Sequence, residues 1–570
     1  MDFKQRITSA ILTAIQSAFG ETDLTADTIL QGLEIPPEPK LGDYAFPCFK
    51  LAKSLRKAPP MIADALKGAL QADFLDHVDS VKGYLNFYID RALYAGTIVK
   101  EVLESNGRYG SGDEGSGKTI CIDYSSINIA KRFHIGHLSS TMIGHALAQL
   151  YRFRGYRVVS INHLGDWGTQ FGKIVCAYKM WSDRETVERD GIEEMTRLYV
   201  RFEQESHEDK ALAEEGRRWF KRIEDGDPEA LEIFSWFKDV TLRDAARVYD
   251  LLGVHFDSYA GESFYNDKMA PVVEELEWKG LLTESEGAKI VDLEPYGMPP
   301  CLILKKDGAT LYATRDLAAA FYRKKTYDFA KCLYVVAYQQ DLHFRQLFKV
   351  IDLMGYDWYR DMEHVSFGMV SFGGEALSTR GGHVVYLEDV LKNAIVKARD
   401  IIEEKSPGLE NKDEVARQVG VGAVVFFDLY NNRIKDISFE WDRALNFDGE
   451  TAPYVQYTHA RCCSVLRKAG PGAGEQADYA ALTDPEAQDV VRVLEQFPGT
   501  VSEAIARSEP SLVTRYSVDL AQAFNKFYYE HRIMGDDKNA QAARLNLTDA
   551  VRQVIRTALG LIGIQAPERM

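Results

Sequence analysis

Long apolar runs are missing from this sequence. None of its 570 residues belong to an uncharged stretch approaching the length of about 20 apolar residues that a membrane-spanning helix needs, so we expect no membrane partner. The N-terminal residues instead predict an amphipathic helix, because Ile7, Ile11, Ile15 and Phe19 recur at helical spacing. This periodic pattern does not match the continuous apolar core of a cleavable signal peptide.

Closely spaced cysteines are also scarce. The seven cysteines are scattered, only Cys462 and Cys463 are neighbours, and no Cys-x-x-Cys occurs. This usage predicts neither a disulfide framework nor a structural metal site, and it is typical of reduced thiols in a cytoplasmic protein.

Positive charge is in short supply, which bears on nucleic-acid binding. The chain has a formal net charge of −17 and a pI of about 5.3, whereas proteins that bind nucleic acid usually present basic surface. The deficit is uneven: residues 1–110 and 450–570 each carry only two more acidic than basic residues. RNA contacts made by the two ends therefore remain compatible with the composition.

The most informative stretch is residues 119–172, which predicts a strand, a loop, a helix and a second strand. The apolar run at 120–122 reads as a buried parallel strand, and a helix with apolar spacing leads to a strand at 157–162. Open sheets of such units bind ligands where strands end and helices begin.

His134-Ile135-Gly136-His137 stands at that loop-to-helix junction, directly after Lys131 and Arg132. Two imidazoles three residues apart can share one face of a first helical turn, whose free N–H groups attract anions. Gly136 lets a phosphate-bearing ligand approach the backbone. Metal ligation is the alternative, and no nearby Cys or His cluster completes a metal set.

Two longer strings around this junction, SSINIAKRFHIGHLSST (125–141) and HLGDWGTQFG (163–172), resemble the arginyl-tRNA synthetases, a family of class I aminoacyl-tRNA synthetases. The resemblance implies an α/β fold: a Rossmann-type parallel-sheet catalytic domain, an N-terminal α+β tRNA-binding domain and a C-terminal all-α anticodon-binding bundle. It implies ATP-dependent formation of arginyl-adenylate with release of pyrophosphate, then transfer of arginine to the 3′-terminal adenosine of tRNA(Arg), giving AMP.

The family's domain order predicts four parts in this chain. Residues 1–110 form the additional tRNA-binding domain and residues 111–391 the catalytic domain, with a helical insertion around 183–252. Residues 392–450 form a helical connection and residues 451–570 the anticodon-binding domain.

The resemblance also assigns the ATP site. The residues expected to be catalytic are His134, His137, Lys131 and Arg380. Those expected to bind ATP are His134, Gly136, His137, Ser378, Thr379 and Arg380. The last three stand in a Ser-Thr-Arg-Gly-Gly variant of the lysine-rich phosphate loop of class I enzymes. Mg²⁺ should accompany ATP, and no structural metal is expected.

For the substrate arginine, the resemblance assigns a second set: Asp123, Ser125, Asn128, His137, Tyr312, Asp316 and Gln340. Asp123 and Asn128 match positions that hold the guanidinium and α-amino groups. Asp316 reads as a helix N-cap, which is a structural role in its own right, but a guanidinium also needs an acidic partner. Either Gln339 or Gln340 reads the amino acid, and Gln340 is preferred.

Contacts with tRNA are expected from Tyr454, Tyr457 and Met570. The other expected partners are L-arginine and ATP, without DNA, and the chain should be a monomer. The resemblance further implies that activation of arginine requires bound tRNA. Ile127 and Ser139 depart from the family's usual proline and arginine. Another class I synthetase and a non-catalytic RNA-binding paralogue are the alternatives, and a paralogue should have lost the histidines that this chain keeps.

Overall fold

The computed structural model describes residues 3–306, 312–372, 385–446 and 448–570. These residues divide into two compact units. The first contains Met1–Tyr109, Cys462–Phe497 and Leu520–Val554, and the second contains Gly110–Arg461, Pro498–Asp519 and Ile555–Met570. Residues of the predicted C-terminal domain, 451–570, are distributed over both units, and the predicted domain boundaries stay predictions.

The first unit opens with an α+β module. Its antiparallel sheet has the order β1-β3-β2, with strands β1 (Tyr44–Pro47), β2 (Leu75–Val81) and β3 (Tyr84–Ile89). Lys82 and Gly83 both have positive φ, as the tight turn between β2 and β3 requires. The helices are α1 (Phe3–Phe19), α2 (Ala26–Leu30), α3 (Ala52–Leu55), α4 (Pro59–Ala69) and α5 (Arg91–Glu104).

The second unit is built around a parallel sheet with the order β10-β9-β4-β5. Its strands are β4 (Thr119–Asp123), β5 (Arg157–Ile161), β9 (Phe329–Tyr334) and β10 (Met362–His364). The chain leaves β4 for β5 on one side and later returns to β9 on the other. The strand order therefore reverses between β4 and β9, and in open sheets this is where ligands bind.

Smaller sheets lie in the same unit. Strands β6 (Leu282–Ser285), β7 (Ala288–Val291) and β8 (Cys301–Leu304) form an antiparallel sheet. Strand β11 (Val370–Phe372) pairs in parallel with β12 (Ile437–Phe439).

Helices outside the insertion make up much of this unit. They are α6 (Leu138–Phe153), α7 (Thr169–Trp181), α12 (Met269–Trp278), α13 (Tyr312–Tyr327), α14 (Asp341–Leu353), α15 (Leu387–Lys405), α16 (Lys412–Tyr430) and α17 (Trp441–Ala444). The insertion consists of α8 (Arg184–Asp190), α9 (Ile192–Glu208), α10 (Lys210–Glu224) and α11 (Pro228–Leu252). Helix α15 runs through the predicted boundary at 391/392.

The C-terminal part is helical, with α18 (Ala452–Ala469), α19 (Pro485–Ala506), α20 (Ser511–Glu530) and α21 (Lys538–Leu561). Among the described helices, none has both the length and the apolar composition needed to cross a membrane.

Candidate active site

The loops after β4 and β9 lie side by side at the carboxyl edge of the parallel sheet. Asp123 and Tyr334 are paired across these two strands, and the Val335 N–H donates to the Asp123 carbonyl at 2.8 Å. Loop 124–137 then leads into α6, and Ala337 forms a further parallel bridge with Phe367. The loops at this edge contain several of the residues that the sequence predicts to bind ATP or arginine.

His134 precedes a 3₁₀ turn, Ile135–His137, which ends in His137 and runs directly into α6. The Gly136 N–H donates to His134 Nδ1 at 3.1 Å, and the two ring centroids are 3.9 Å apart. A neutral imidazole that accepts at Nδ1 carries its proton on Nε2. His134 can therefore offer an N–H donor at the start of a helix, where an anion is already favoured.

Both imidazoles are neutral at pH 7. Burial lowers the pKa of His134 to about 4, and the charge of Lys131 adds to this shift. Burial, reinforced by His134, lowers the pKa of His137 to about 3. A neutral imidazole can donate a hydrogen bond to an anion but adds no positive charge, and Lys131 in the same loop is exposed.

Ser378, Thr379 and Arg380 lie outside the described residues, so their contact with phosphates stays a prediction. Residues 385–387, which follow them in the chain, form backbone hydrogen bonds with residues 133–135, next to the two histidines. The Ile135 N–H donates to the Val385 carbonyl and the Leu387 N–H to the Phe133 carbonyl, both at 3.0 Å.

The Asp123 carboxylate forms an ion pair with a guanidinium of the protein itself. Its Oδ2 lies 2.7 Å from Arg323 Nη2, and its Oδ1 accepts from Ser126 Oγ at 2.9 Å. The side chains of Asp123 and Arg323 are only 7% and 1% exposed. This carboxylate therefore has an internal cationic partner and little exposed surface, and its contact with the substrate guanidinium stays a prediction.

Ser125 also faces the protein interior. Its hydroxyl lies 2.8 Å from Tyr249 Oη and accepts from Thr141 Oγ1 at 2.9 Å. These bonds hold the loop in place, and the contact of Ser125 with arginine stays a prediction. Asn128 is exposed beside Gly165, where a Cβ atom would meet Asn128 Oδ1 at 2.3 Å. The glycine leaves space for the amide, which stays available to a ligand.

Asp316 is not the helix N-cap that the sequence suggested, since it lies beyond the first turn of α13. Its Oδ2 accepts from His343 Nε2 at 2.6 Å, and His163 Nε2 lies 3.9 Å from its Oδ1. Burial alone would raise the pKa of Asp316, but the bond from His343 and the nearby positive charges hold it below its ordinary value. With its side chain 29% exposed, Asp316 is an ionised carboxylate that a ligand can reach.

Glu262 is a second acid, whose charge interacts with that of Asp316, and the sequence did not indicate it. Burial raises its pKa to about 7; Arg315 opposes the rise, whereas the negative charges of Asp316 and Asp166 add to it. A bound cation would relieve this repulsion. A single glutamate after a glycine carries no local signal, so only the folded chain reveals it.

Two further residues that were predicted to bind arginine, Tyr312 and Gln340, are exposed. Tyr312 begins α13 with 64% of its surface exposed, next to residues 307–311, which the structure does not describe. Gln340 is exposed at the start of α14 and follows the loop from β9. Their contacts with substrate stay predictions.

The predicted tRNA-contacting residues differ in their surroundings. Tyr457 is 45% exposed on α18 with Arg461 stacked 4.9 Å from its ring, whereas Tyr454 is half-buried. Met570 packs against a small apolar cluster that includes Ile402 and Val419. Of the three, Tyr457 is the most accessible for stacking on a base.

Ser139 departs from the family's usual arginine, and the structure shows what it contacts. Its hydroxyl donates to Asp428 Oδ1 on α16 at 2.5 Å, and Asp428 Oδ2 is buried without a hydrogen-bond partner among the described residues. Burial raises the pKa of Asp428 to about 7, although the bond from Ser139 opposes the rise.

We expect Asp428→Asn to stabilise the protein more at pH 8 than at pH 5. The folded protein retains this proton up to about pH 7, whereas an unfolded aspartate loses it near pH 4, so stability falls as pH rises between these values. The check is the melting temperature of both proteins from pH 5 to 8. Asp400→Asn, on the exposed face of α15, is the control. If the melting temperatures of all three proteins changed with pH in the same way, the raised pKa of Asp428 in the folded protein would be contradicted.

In the part of the chain that the structure describes, one group of side chains has metal-binding spacing: Asp484, Glu486 and His531. His531 Nε2 is 3.1 Å from Asp484 and 3.3 Å from Glu486. None of the three belongs to the predicted site.

Comparison with known proteins covers the whole chain. Residues 98–441 match the model of the class I tRNA synthetase (R) catalytic domain, residues 455–570 the DALR anticodon binding domain, and residues 5–89 the arginyl tRNA synthetase N-terminal domain. Proteins described as arginine–tRNA ligase from Alkaliphilus metalliredigens and Clostridioides difficile are 52% and 51% identical over 570 residues, covering all of both chains.

Among solved structures, the arginyl-tRNA synthetase of Thermus thermophilus superposes with a TM-score of 0.81 at 25% identity, covering all of both chains. The predicted fold class is confirmed: a parallel-sheet catalytic domain with an N-terminal α+β domain and a C-terminal helical domain. With relatives this similar over its full length, the chain belongs to the arginyl-tRNA synthetase family.

Proposed function

We propose that the edge between β4 and β9 performs the arginine–tRNA ligase reaction with the residue roles given below. The enzyme uses ATP to activate L-arginine and then charges tRNA, as its class I catalytic domain and its relatives support. One observation carries the site assignment: an ionised, reachable acid, Asp316, lies at the same sheet edge as the paired imidazoles of His134 and His137.

The guanidinium of the substrate is assigned to Asp316 and Glu262. Two carboxylates suit a planar cation with several N–H donors. Burial, with the charges of Asp316 and Asp166, raises the pKa of Glu262 to about 7, and a bound cation would favour its ionised form. Tyr312 would cover the side chain. Asn128 and Gln340 are assigned to the α-amino end, because both amides are exposed at the loops that follow β4 and β9.

The first chemical step needs little covalent work from the protein. An oxygen of the arginine carboxylate attacks the α-phosphorus of ATP, the bond to the β-phosphate oxygen breaks, and pyrophosphate leaves. His134 and His137 donate hydrogen bonds to the phosphates, with positive charge from Lys131 and Arg380. Mg²⁺ enters with ATP as part of the substrate.

In the second step a ribose hydroxyl of the 3′-terminal adenosine of tRNA(Arg) attacks the carbonyl carbon of the adenylate, and AMP leaves. Tyr454, Tyr457 and Met570 remain the proposed tRNA contacts. We place the enzyme in the cytoplasm as a monomer, and the seven buried free thiols support a reducing compartment.

The direct test is charging of total tRNA with each amino acid in turn. We expect arginine alone to be attached, because a pocket with two acids selects a cation that can donate several hydrogen bonds. Lysine is the critical comparison, since it carries the same charge without the planar fork. Equal charging with lysine, or with a neutral amino acid, would reject the assignment.

A second expected result concerns tRNA. Exchange of pyrophosphate into ATP should be close to background with arginine alone and should rise roughly 5–150-fold with tRNA(Arg), the usual range of coupling between two ligands. A ligand that binds only the competent arrangement of the site shifts the population toward it. Uncharged tRNA of another specificity is the control, and full exchange without tRNA would contradict the coupling.

A further inference from the structure

Arg132, two residues before His134, contacts two other segments of the second unit. Its guanidinium carbon lies 3.7 Å from the ring centroid of Tyr386, which directly precedes α15. Its Nη1 is 3.6 Å from Glu193 Oε1 on α9, and its Nη2 is 3.9 Å from Asp389 Oδ2 on α15. A single side chain of the histidine loop thus contacts both the helical insertion and the start of α15.

The stack on Tyr386 is the strongest of these contacts. Glu193 and Asp389 are 70% and 55% exposed, and ion pairs with acids so exposed add little stability. A guanidinium over an aromatic ring contributes more when it is partly withdrawn from water, and the Arg132 side chain is only 17% exposed. The two acids therefore direct the guanidinium, and the ring of Tyr386 holds it.

Two further acids, Asp244 on α11 and Glu388 on α15, interact electrostatically with Arg132. Burial raises the pKa of Asp244, and the charges of Arg247 and Arg132 oppose this rise. Arg247 pairs with Asp244 and also lies 3.6 Å from Glu388 Oε1. The insertion and α15 thus both present negative charge to the histidine loop, and a cation at position 132 is favoured there.

Tyr386 is also the residue directly opposite His134 in a short antiparallel pairing. The two residues form a bridge between segments 133–135 and 385–387, and two backbone hydrogen bonds of 3.0 Å flank it. Residues opposite each other in a pair of this kind have Cα atoms only about 4.5 Å apart. A displacement of Tyr386 would therefore move the backbone that presents the His134 ring.

We propose that Arg132 is a positioning residue for phosphate binding, which stacks on Tyr386 and thereby fixes the paired segments that present His134. This inference rests on the proposed function, because it takes His134 as a hydrogen-bond donor to the phosphates of ATP. It also gives the insertion a role, since the acids on α9 and α11 help to hold the guanidinium in place.

The experiment measures the single-turnover rate constant of arginyl-adenylate formation with tRNA(Arg) present, because this constant does not depend on the fraction of active protein. We expect Arg132→Ala and Tyr386→Leu each to lower it roughly fivefold, the effect of losing one partly buried cation–π contact. The half-saturating arginine concentration should not change. The double variant should be no slower than either single one, and Tyr386→Phe, which keeps the ring, should behave as the wild type.

A second comparison tests the route through His134. If Arg132 acts on the phosphates only by positioning this histidine, adding Arg132→Ala to His134→Ala should cause no further loss of rate. Arg184→Ala is the matched control, since it removes another arginine that stacks on an aromatic ring, with its guanidinium carbon 4.9 Å from the ring centroid of Trp236. This control should behave as the wild type.

A wild-type rate in folded Arg132→Ala would overturn the proposal. A fivefold loss on top of His134→Ala would also overturn it, because Arg132 would then act without the histidine. Multiplying effects of Arg132→Ala and Tyr386→Leu would overturn the role of the stack. If Arg132→Ala does not fold, Tyr386→Leu decides, because an unchanged rate there contradicts the proposal as well. Failure of the wild type to form arginyl-adenylate would instead reject the proposed function.

Discussion

Asp316→Asn is expected to raise the arginine concentration needed for half-maximal charging on the order of 10²-fold, the effect of removing one partner of a buried charge pair. Asparagine keeps the shape of the side chain and can still accept from His343, but it loses the negative charge and one acceptor oxygen. The loss should fall on the KM for arginine, because the KM for ATP depends on other residues. Steady-state charging with varied arginine measures it.

Asp328→Asn is the matched control, since Asp328 follows the end of the same helix and its side chain is 91% exposed. The melting temperature of both variants should stay close to the wild type, because neither carboxylate is part of the apolar core. An unchanged arginine dependence in Asp316→Asn would remove Asp316 from the pocket and would leave Glu262 as the acid to test.

His137→Ala is expected to lower kcat by about 10²–10³-fold, the usual cost of losing one preorganised hydrogen-bond donor to developing charge. The resemblance also places His137 among the arginine ligands, but the KM for arginine should change less than kcat, because His137 stands at the start of α6 and not beside Asp316. The same substitution at His134 should also weaken the turn, since the Gly136 N–H would lose its acceptor. Single-turnover formation of arginyl-adenylate in the presence of tRNA separates this effect from product release.

Since both imidazoles are neutral, their donor capacity should not be lost between pH 8 and pH 6. Burial keeps their pKa values at about 4 and about 3, so turnover in this interval should not report their titration. His207→Ala, an exposed histidine on α9, is the control. Wild-type turnover in His137→Ala would exclude that residue from catalysis.

Much of the catalytic framework could be predicted because its signals are local. The apolar run before Asp123, the helical spacing after His137 and the glycine between the two histidines each involve a few neighbouring residues. These patterns predicted a strand, a loop and a helix whose junction binds phosphate, and the structure has β4, the loop and α6 there. Residues 378–380 lie outside the described part, so their roles stay predictions.

The details of the arginine pocket could not be predicted in the same way. Asp123 at the end of β4 matched a substrate-binding position, but its carboxylate is paired with Arg323 on α13. Asp316 looked equally suited to a helix cap, and only its position beyond the first turn and its bond to His343 distinguish the two roles. Glu262 belonged to no sequence motif from which a role in the pocket could be predicted.

The sequence alone therefore determined the strand-loop-helix junction, the class of fold and the family, because these depend on hydrophobic spacing and on contiguous motifs. Only the tertiary structure showed that the Asp316 side chain is 29% exposed whereas the Asp123 side chain is 7% exposed. Whether a carboxylate is free depends on its burial and on the charges around it, and these come from segments far apart in the chain. Arg323, His163 and His343 meet the two aspartates only after β4, α13 and α14 have packed together at one sheet edge.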